Sequence, residues 1–174
     1  MLNPLPDLRL IAALGLVGVL VGSFIATAVV RWGTGRPIVI GRSRCDDCAR
    51  VLAPVELIPL ISAIISRFRC RTCKAPIDAL HWQIEATACL VGVFAGMATP
   101  GITAIAGAIF GWQLLALGAL DARHFILPNL LTTALAITGL AASLSSAGIG
   151  PSDSIAGGLV GFLSLWLVKH GYRR

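Results

Sequence analysis

Two sets of residues in this chain have the types and spacing to do chemistry. The first is a single carboxylate, Asp121, at the end of a long apolar run in Leu120-Asp121-Ala122-Arg123-His124-Phe125-Ile126-Leu127-Pro128-Asn129. A carboxylate at the edge of a membrane span is costly to hold there and marks a functional site by default. Hydrolysis at such a place needs water at the helix end and two carboxylates in different protonation states. One activates the water and the other protonates the leaving group. Glu85 is the only other acid inside the corresponding ends of the apolar runs, Asp78 lies a little further out, and Asp153 falls on the other side. The plainer reading of Asp121 is an interfacial carboxylate paired with Arg123 or another nearby base.

The second set is Cys45-x-x-Cys48 and Cys70-x-x-Cys73, two pairs separated by 21 residues. A C-x-x-C turn places two thiolates on one side of a metal, and two such turns complete a zinc tetrahedron. All four positions are then filled by protein, so the zinc would be structural. A disulfide or redox relay competes with this reading, as do metal-free cysteines; a reducing compartment disfavours stable disulfides. Ala49 and Lys74 stand where a glycine often follows the second cysteine of a zinc knuckle. The fifth cysteine, Cys89, lies in an apolar run and reads as a small buried hydrophobe.

What must position these groups is a membrane bundle. The 174 residues are 56% hydrophobic and 13% charged, with a mean hydropathy of +0.86, against about a quarter charged in soluble domains. Apolar runs cover residues 10–30, 85–99, 102–120, 130–147 and 155–168, the second and fifth close to the short limit for a span. A cleaved signal peptide is disfavoured for the first, because Asp7 and Arg9 leave no net positive charge ahead of it and the run is too long. Residues 31–82 are broken by Pro37, Pro54, Pro59 and Pro76 and form a small extramembrane module. Its apolar stretch 57–65 could supply a small core or lie against the membrane surface. The expected architecture is an all-α polytopic membrane protein. Residues 1–30 form a first helix, 31–82 a zinc-ribbon-like insertion, and 83–174 the remaining bundle, with about five spans in all.

Charge orients it. With the N-terminus outside, thirteen of the fourteen Lys and Arg residues fall inside and only Arg9 outside, as the positive-inside tendency requires. The module, Asp121 and the C-terminal Lys169, His170, Arg173 and Arg174 then share the cytoplasmic side. The net charge of +6 reflects this loop bias and not nucleic-acid binding, since aromatic and basic residues are not interleaved. Gly18/Gly22, Gly92/Gly96, Gly107/Gly111 and Gly157/Gly161 are Gly-x-x-x-Gly pairs that predict close helix packing.

In this order the motifs resemble the type IV prepilin peptidases, the leader peptidases and N-methyltransferases of pilus and type II secretion systems. Gly22-Ser23-Phe24 with Arg31 is similar to the family's first-span signature. Gly41-Arg42-Ser43-Arg44-Cys45 with Cys48 is similar to its first knuckle. Leu57-Ile58-Pro59-Leu60-Ile61-Ser62 is similar to the segment between knuckles, and Cys70-Arg71-x-Cys73-x-x-Pro76-Ile77 to the second. Glu85 stands at the family's glutamate, and Asp121 with Leu127-Pro128 at its first catalytic aspartate. Ala26 replaces a common Asn, and Asn129 a common Asp.

The resemblance implies a G-x-G-D aspartic endopeptidase of the inner membrane that cleaves prepilin or pseudopilin leader peptides. S-adenosylmethionine would be the methyl donor, and no glycine-rich nucleotide motif shows it independently. The family's second motif, Gly-x-Gly-Asp, does not occur in these residues. The expectation is therefore a chain truncated before that aspartate and inactive alone, its partner acid supplied by a separately encoded C-terminal half. The alternative is a non-catalytic membrane zinc-module protein that binds prepilin or secretion partners.

Overall fold

The computed structural model describes residues 7–34, 38, 42–45, 47–144 and 150–172. Pro37, Gly41, Arg173 and Arg174, named above, lie outside them, as do residues 1–6 of the first segment and 145–147 of the fourth apolar run. Every regular element among the described residues is helical: α1 Leu8–Arg31, a 3₁₀ turn at Pro54–Leu57, α2 Ile61–Ile65, α3 Ala79–Ala98, α4 Gly101–His124, α5 Asn129–Leu144 and α6 Pro151–Gly171. The five long helices match the five expected runs, with the module between α1 and α3.

The helix ends follow local chemistry. Asp7 caps α1, its carboxylate accepting the amides of Arg9 at 2.9 Å and Leu10 at 3.4 Å, which otherwise have no intrahelical acceptor. Thr99-Pro100 ends α3, and Gly101 at φ +60° turns the chain into α4. α4 continues one turn beyond Leu120 and stops when Phe125 takes a left-handed conformation, its N–H donating to the Asp121 carbonyl at 2.8 Å. The α1, α4 and α6 helices are each long and apolar enough to cross a membrane. α5 is shorter at 16 residues, and α3 carries His81, Gln83 and Glu85 in its first two turns. The second and fifth runs, expected to be short, are helices of 20 and 21 residues because both extend outward into polar turns.

The core lies where α1, α3 and α4 meet, around Ala26, Val29, Ile84, Ala88, Ala104, Ala108, Trp112 and Leu120. Its small residues let backbones touch. A Cβ at Gly18 would stand 2.3 Å from the Ala88 carbonyl oxygen, and one at Gly92 2.2 Å from that of Leu14. Gly22 and Gly96 continue the same seam at 2.8 and 3.0 Å. Cys89 is half-buried, its Sγ 3.7 Å from a Cβ built at Gly15 on this seam. Gly111 abuts only the Val91 side chain, and Gly157 and Gly161 have nothing within 4 Å. Two of the four glycine pairs are therefore packing seams of this bundle. Trp112 Nε1 bonds the Ala88 carbonyl at 2.9 Å, and Thr138 on α5 bonds Gln113 on α4 at 2.7 Å. α6 packs against α5 and buries no residue.

Candidate metal centre and membrane-edge carboxylate

Each cysteine pair closes a hairpin, and the two hairpins share one hydrogen-bond pattern. In the first, Cys45 N–H donates to the Arg50 carbonyl at 2.9 Å and Ala49 N–H to that of Cys45 at 3.0 Å. In the second, Cys70 N–H donates to Ala75 at 2.8 Å and Lys74 N–H to Cys70 at 3.1 Å. The bridges Arg44–Val51 and Arg69–Pro76 sit at equal offsets from their cysteines. Closing this turn requires positive φ at the residue after the second cysteine, and Ala49 adopts 55° and Lys74 62°. These are the two positions where the sequence lacks glycine. Both side chains take the left-handed conformation anyway, at roughly 1–2 kcal/mol each.

The hairpins converge. The Sγ atoms of Cys45, Cys48, Cys70 and Cys73 all lie within 4.8 Å of one another, with Cys45 and Cys73 3.8 Å apart. Four thiolates at about 2.3 Å from one zinc ion stand about 3.8 Å from each other along the tetrahedron's edges. The cluster therefore has the size and donor set for one four-coordinate metal ion. No disulfide joins any of the four. The amides of Cys73 and Thr72 point at the Cys70 sulfur and hold its thiol down at about 6. For Cys73, the Ala75 amide favours the thiolate, but burial and hydrogen bonds with Cys70, Cys48 and Cys45 outweigh it and lift the thiol to about 12. A bound cation would ionise the thiols that resist doing so without one.

A clasp missing from the sequence reading ties the hairpins together. Glu56 accepts both Arg50 guanidinium nitrogens, at 2.7 and 3.0 Å, and the Ala53 amide at 2.9 Å. Arg71, between Cys70 and Cys73, reaches it at 3.7 Å. The Arg50 bonds, reinforced by the Ala53 amide, hold the Glu56 carboxyl at about 2. Its available signal was a glutamate two residues after Pro54, placed to reach back to the Ala53 amide.

The module is bolted to the bundle at the end of α1 and the start of α3. Leu60 sits at φ 59°, ψ −52°, and Ile61 N–H donates to the Pro59 carbonyl at 2.6 Å, forming a γ-turn of the rare, strained hand. The amide of Leu60 donates to buried Glu85 at 2.8 Å, and His81 approaches the other Glu85 oxygen at 3.5 Å. Glu85, considered above as a partner for Asp121, is thus engaged in holding this turn. Asp78 caps α3 through Leu80 N–H at 3.0 Å and binds Arg123 at 2.8 Å. His124 Nε2 donates to the Val29 carbonyl at 2.8 Å, which places the ring proton on that nitrogen. A cavity of about 840 Å³ opens between the hairpins and these helix ends, lined by Ser23, Thr27, Ser62, Glu85 and Arg123 among others.

Asp121 lies at this same end of the bundle but does not line the cavity. Its side chain is exposed and has no hydrogen-bond or ion-pair partner among the described residues. The pairing with Arg123 expected of a plain interfacial carboxylate is not made, because Arg123 turns to Asp78. The structure brings the four cysteines together; it does not bring Asp78 or Glu85 onto Asp121.

Comparison with known proteins matches two family models to this chain. One, described as the bacterial peptidase A24 N-terminal domain, matches residues 16–99. The other, the type IV leader peptidase family, matches residues 108–173. A prepilin leader peptidase/N-methyltransferase from Aeromonas hydrophila is 34% identical over 137 residues, covering 78% of this chain and 47% of the relative. Relatives of the same name from Pseudomonas aeruginosa and Myxococcus xanthus are 37% and 33% identical, over 75% and 88% of this chain and 46% of each relative. The chain thus spans about half the length of these curated relatives. No solved structure matches.

Proposed function

The chain belongs to the type IV leader peptidase family, and on that premise we propose that Asp121 is one of two catalytic aspartates of a prepilin leader peptidase. The observation that carries this reading is the state of the α4 terminus. Arg123 and His124 are pinned to Asp78 and Val29, while Asp121, two residues before Arg123, is exposed and has no side-chain partner among the described residues. A hydrated carboxylate at a fixed helix end is suited to general-base catalysis. It takes a proton from water, and the oxygen attacks the scissile carbonyl carbon. The second carboxyl gives its proton to the departing amine as the C–N bond breaks. That second group comes from a Gly-x-Gly-Asp segment outside residues 1–174, in the same or a separately encoded polypeptide.

Residues 31–82 serve as a zinc-held module, with Cys45, Cys48, Cys70 and Cys73 as ligands; the metal fixes the two hairpins and takes no part in hydrolysis. Residues 1–30 anchor it and 83–174 carry the peptidase bundle. The protein resides in the bacterial inner membrane, with module and Asp121 on the cytoplasmic side where the charge bias puts them. Its substrates are prepilin or pseudopilin leaders of type IV pilus or type II secretion systems. S-adenosylmethionine, implied by the relatives' name, is the donor for methylation of the new N-terminus.

The test is prepilin cleavage in proteoliposomes by this chain, alone and together with a relative's fragment bearing Gly-x-Gly-Asp. Cleavage is expected with the fragment, and Asp121→Asn should lower its rate by about 10²–10⁴-fold. Undiminished cleavage by Asp121→Asn would remove Asp121 from the mechanism.

A further inference from the structure

The segment joining the two cysteine hairpins is inside out. Around α2, the small residues Ser62, Ala63 and Ser66 line the cavity facing the bundle. Ile61, Ile64 and Ile65 point away from it and are 54%, 63% and 63% exposed. Val55, Ile58 and Phe68 extend the exposed apolar surface on either side. A module of this size has little apolar material to bury, so several large apolar side chains turned outward from one short segment mark an interaction face.

Two further observations identify what covers it. The patch hangs at the end of the bundle where α1, a candidate span, terminates: its Leu60 turn is bonded to Glu85, and the Phe68 ring packs on Trp82, centroids 5.4 Å apart, in the first turn of α3. That is the depth at which tryptophans collect in membrane proteins. Beside Ile65, a cleft of about 380 Å³ is lined by Arg67, Arg69, Arg71 and Lys74, with no acidic residue in its lining. Arg71 also reaches Glu56 at 3.7 Å, and Arg69 donates to the Lys74 carbonyl at 3.4 Å. Arg67 and Lys74 have no side-chain partner among the described residues.

We infer that this face docks on the bilayer, and that the basic cleft receives the phosphate of an anionic phospholipid. Ile61, Ile64 and Ile65 enter the acyl region of the leaflet on the module's side. An apolar face bordered by cations, held beside the end of the candidate span α1, suits a leaflet whose hydrocarbon lies below its phosphates. The γ-turn clamp on Glu85 sets the angle of approach, so the four-cysteine cluster is carried at the membrane surface.

The test places a photoactivatable diazirine residue at position 64 of the full chain in phosphatidylcholine nanodiscs with and without phosphatidylglycerol. Mass spectrometry identifies what is captured. Lipid adducts are expected, enriched in phosphatidylglycerol above its bulk share. Combining Arg67→Gln with Lys74→Gln should cut that enrichment about fivefold or more. A diazirine at exposed position 16 of α1 should label lipid equally in both backgrounds, showing that the variant is still inserted. Water adducts alone at position 64 would overturn the docking, and so would cross-links to polypeptide, which would make the face a protein interface. Lipid capture without anionic enrichment would overturn the role of the cleft.

Discussion

Replacing Gly92 by alanine probes the seam on which α1 and α3 are joined. A Cβ there would stand 2.2 Å from the Leu14 carbonyl oxygen and 2.6 Å from its carbon. Both are backbone atoms, so no side-chain rotation relieves the clash. A comfortable contact needs about 3.2 Å or more, so the helices must part by about 1 Å. A gap of that size forfeits a quarter to half of each van der Waals attraction it crosses, and overpacking of this kind costs about 1–3 kcal/mol. Alanine's better helix propensity opposes this by about 1 kcal/mol.

Gly107→Ala carries the same gain with its nearest neighbour at 3.8 Å, so the difference between the two variants isolates the clash. Gly18→Ala strikes the same seam from α1, at the Ala88 carbonyl. One outward shift relieves both clashes, so the Gly18→Ala/Gly92→Ala variant should lose less than the sum of its parents. Equilibrium unfolding in mixed detergent and SDS micelles measures this, with the fluorescence of Trp112, bonded to Ala88 on that seam, as the local reporter in a background where Trp32, Trp82 and Trp166 are replaced by phenylalanine. If Gly92→Ala unfolds at the same SDS fraction as Gly107→Ala, or if the two seam variants add in full, the helices are not in backbone contact and the reasoning fails.

Three other outcomes are expected. Ala49→Gly and Lys74→Gly should each strengthen the module by about 1 kcal/mol by removing left-handed strain. Slower loss of bound zinc to a chelator would register it, whereas any single Cys→Ser among the four should abolish stoichiometric zinc. Glu56 is held at about 2 against an ordinary 4.5, so its clasp contributes above pH 4.5 and is lost as pH falls toward 2. In metal-free protein, the stability difference between wild type and Glu56→Gln should shrink across that window; a difference independent of pH would argue against the Arg50 clasp. Glu85→Ala should free the Leu60 amide and destabilise the module by about 1.5–3 kcal/mol. Glu85→Gln, which keeps an acceptor oxygen, should lose much less, and hydrogen exchange at the Leu60 amide distinguishes the two.

The long helices and the cysteine cluster were legible because their signals are local. Apolar runs end at Asp7, Thr99-Pro100 and Pro128, and a C-x-x-C spacing bends a chain regardless of what lies beyond. Helix length past the apolar run was less legible, since polar turns such as residues 121–124 carry no hydropathy signal yet continue the hydrogen-bond ladder. The glycine pairs were visible as motifs, but only Gly18/Gly22 and Gly92/Gly96 form a seam of this bundle, because packing depends on what faces a glycine. The roles of the acids were the least legible. Asp78 and Arg123 are 45 positions apart and meet only once α3 and α4 lie antiparallel. Glu85 is committed to an amide 25 residues earlier, a partner that no side-chain pattern announces.

The two oxygens of Asp78 act on different helices. One sets where α3 begins, through the Leu80 amide, and the other grips Arg123 in the last turn of α4. The antiparallel helices therefore share a single datum, much as two rulers are zeroed against the same edge. The height of Asp121 relative to the cysteine hairpins is thus referenced to this edge.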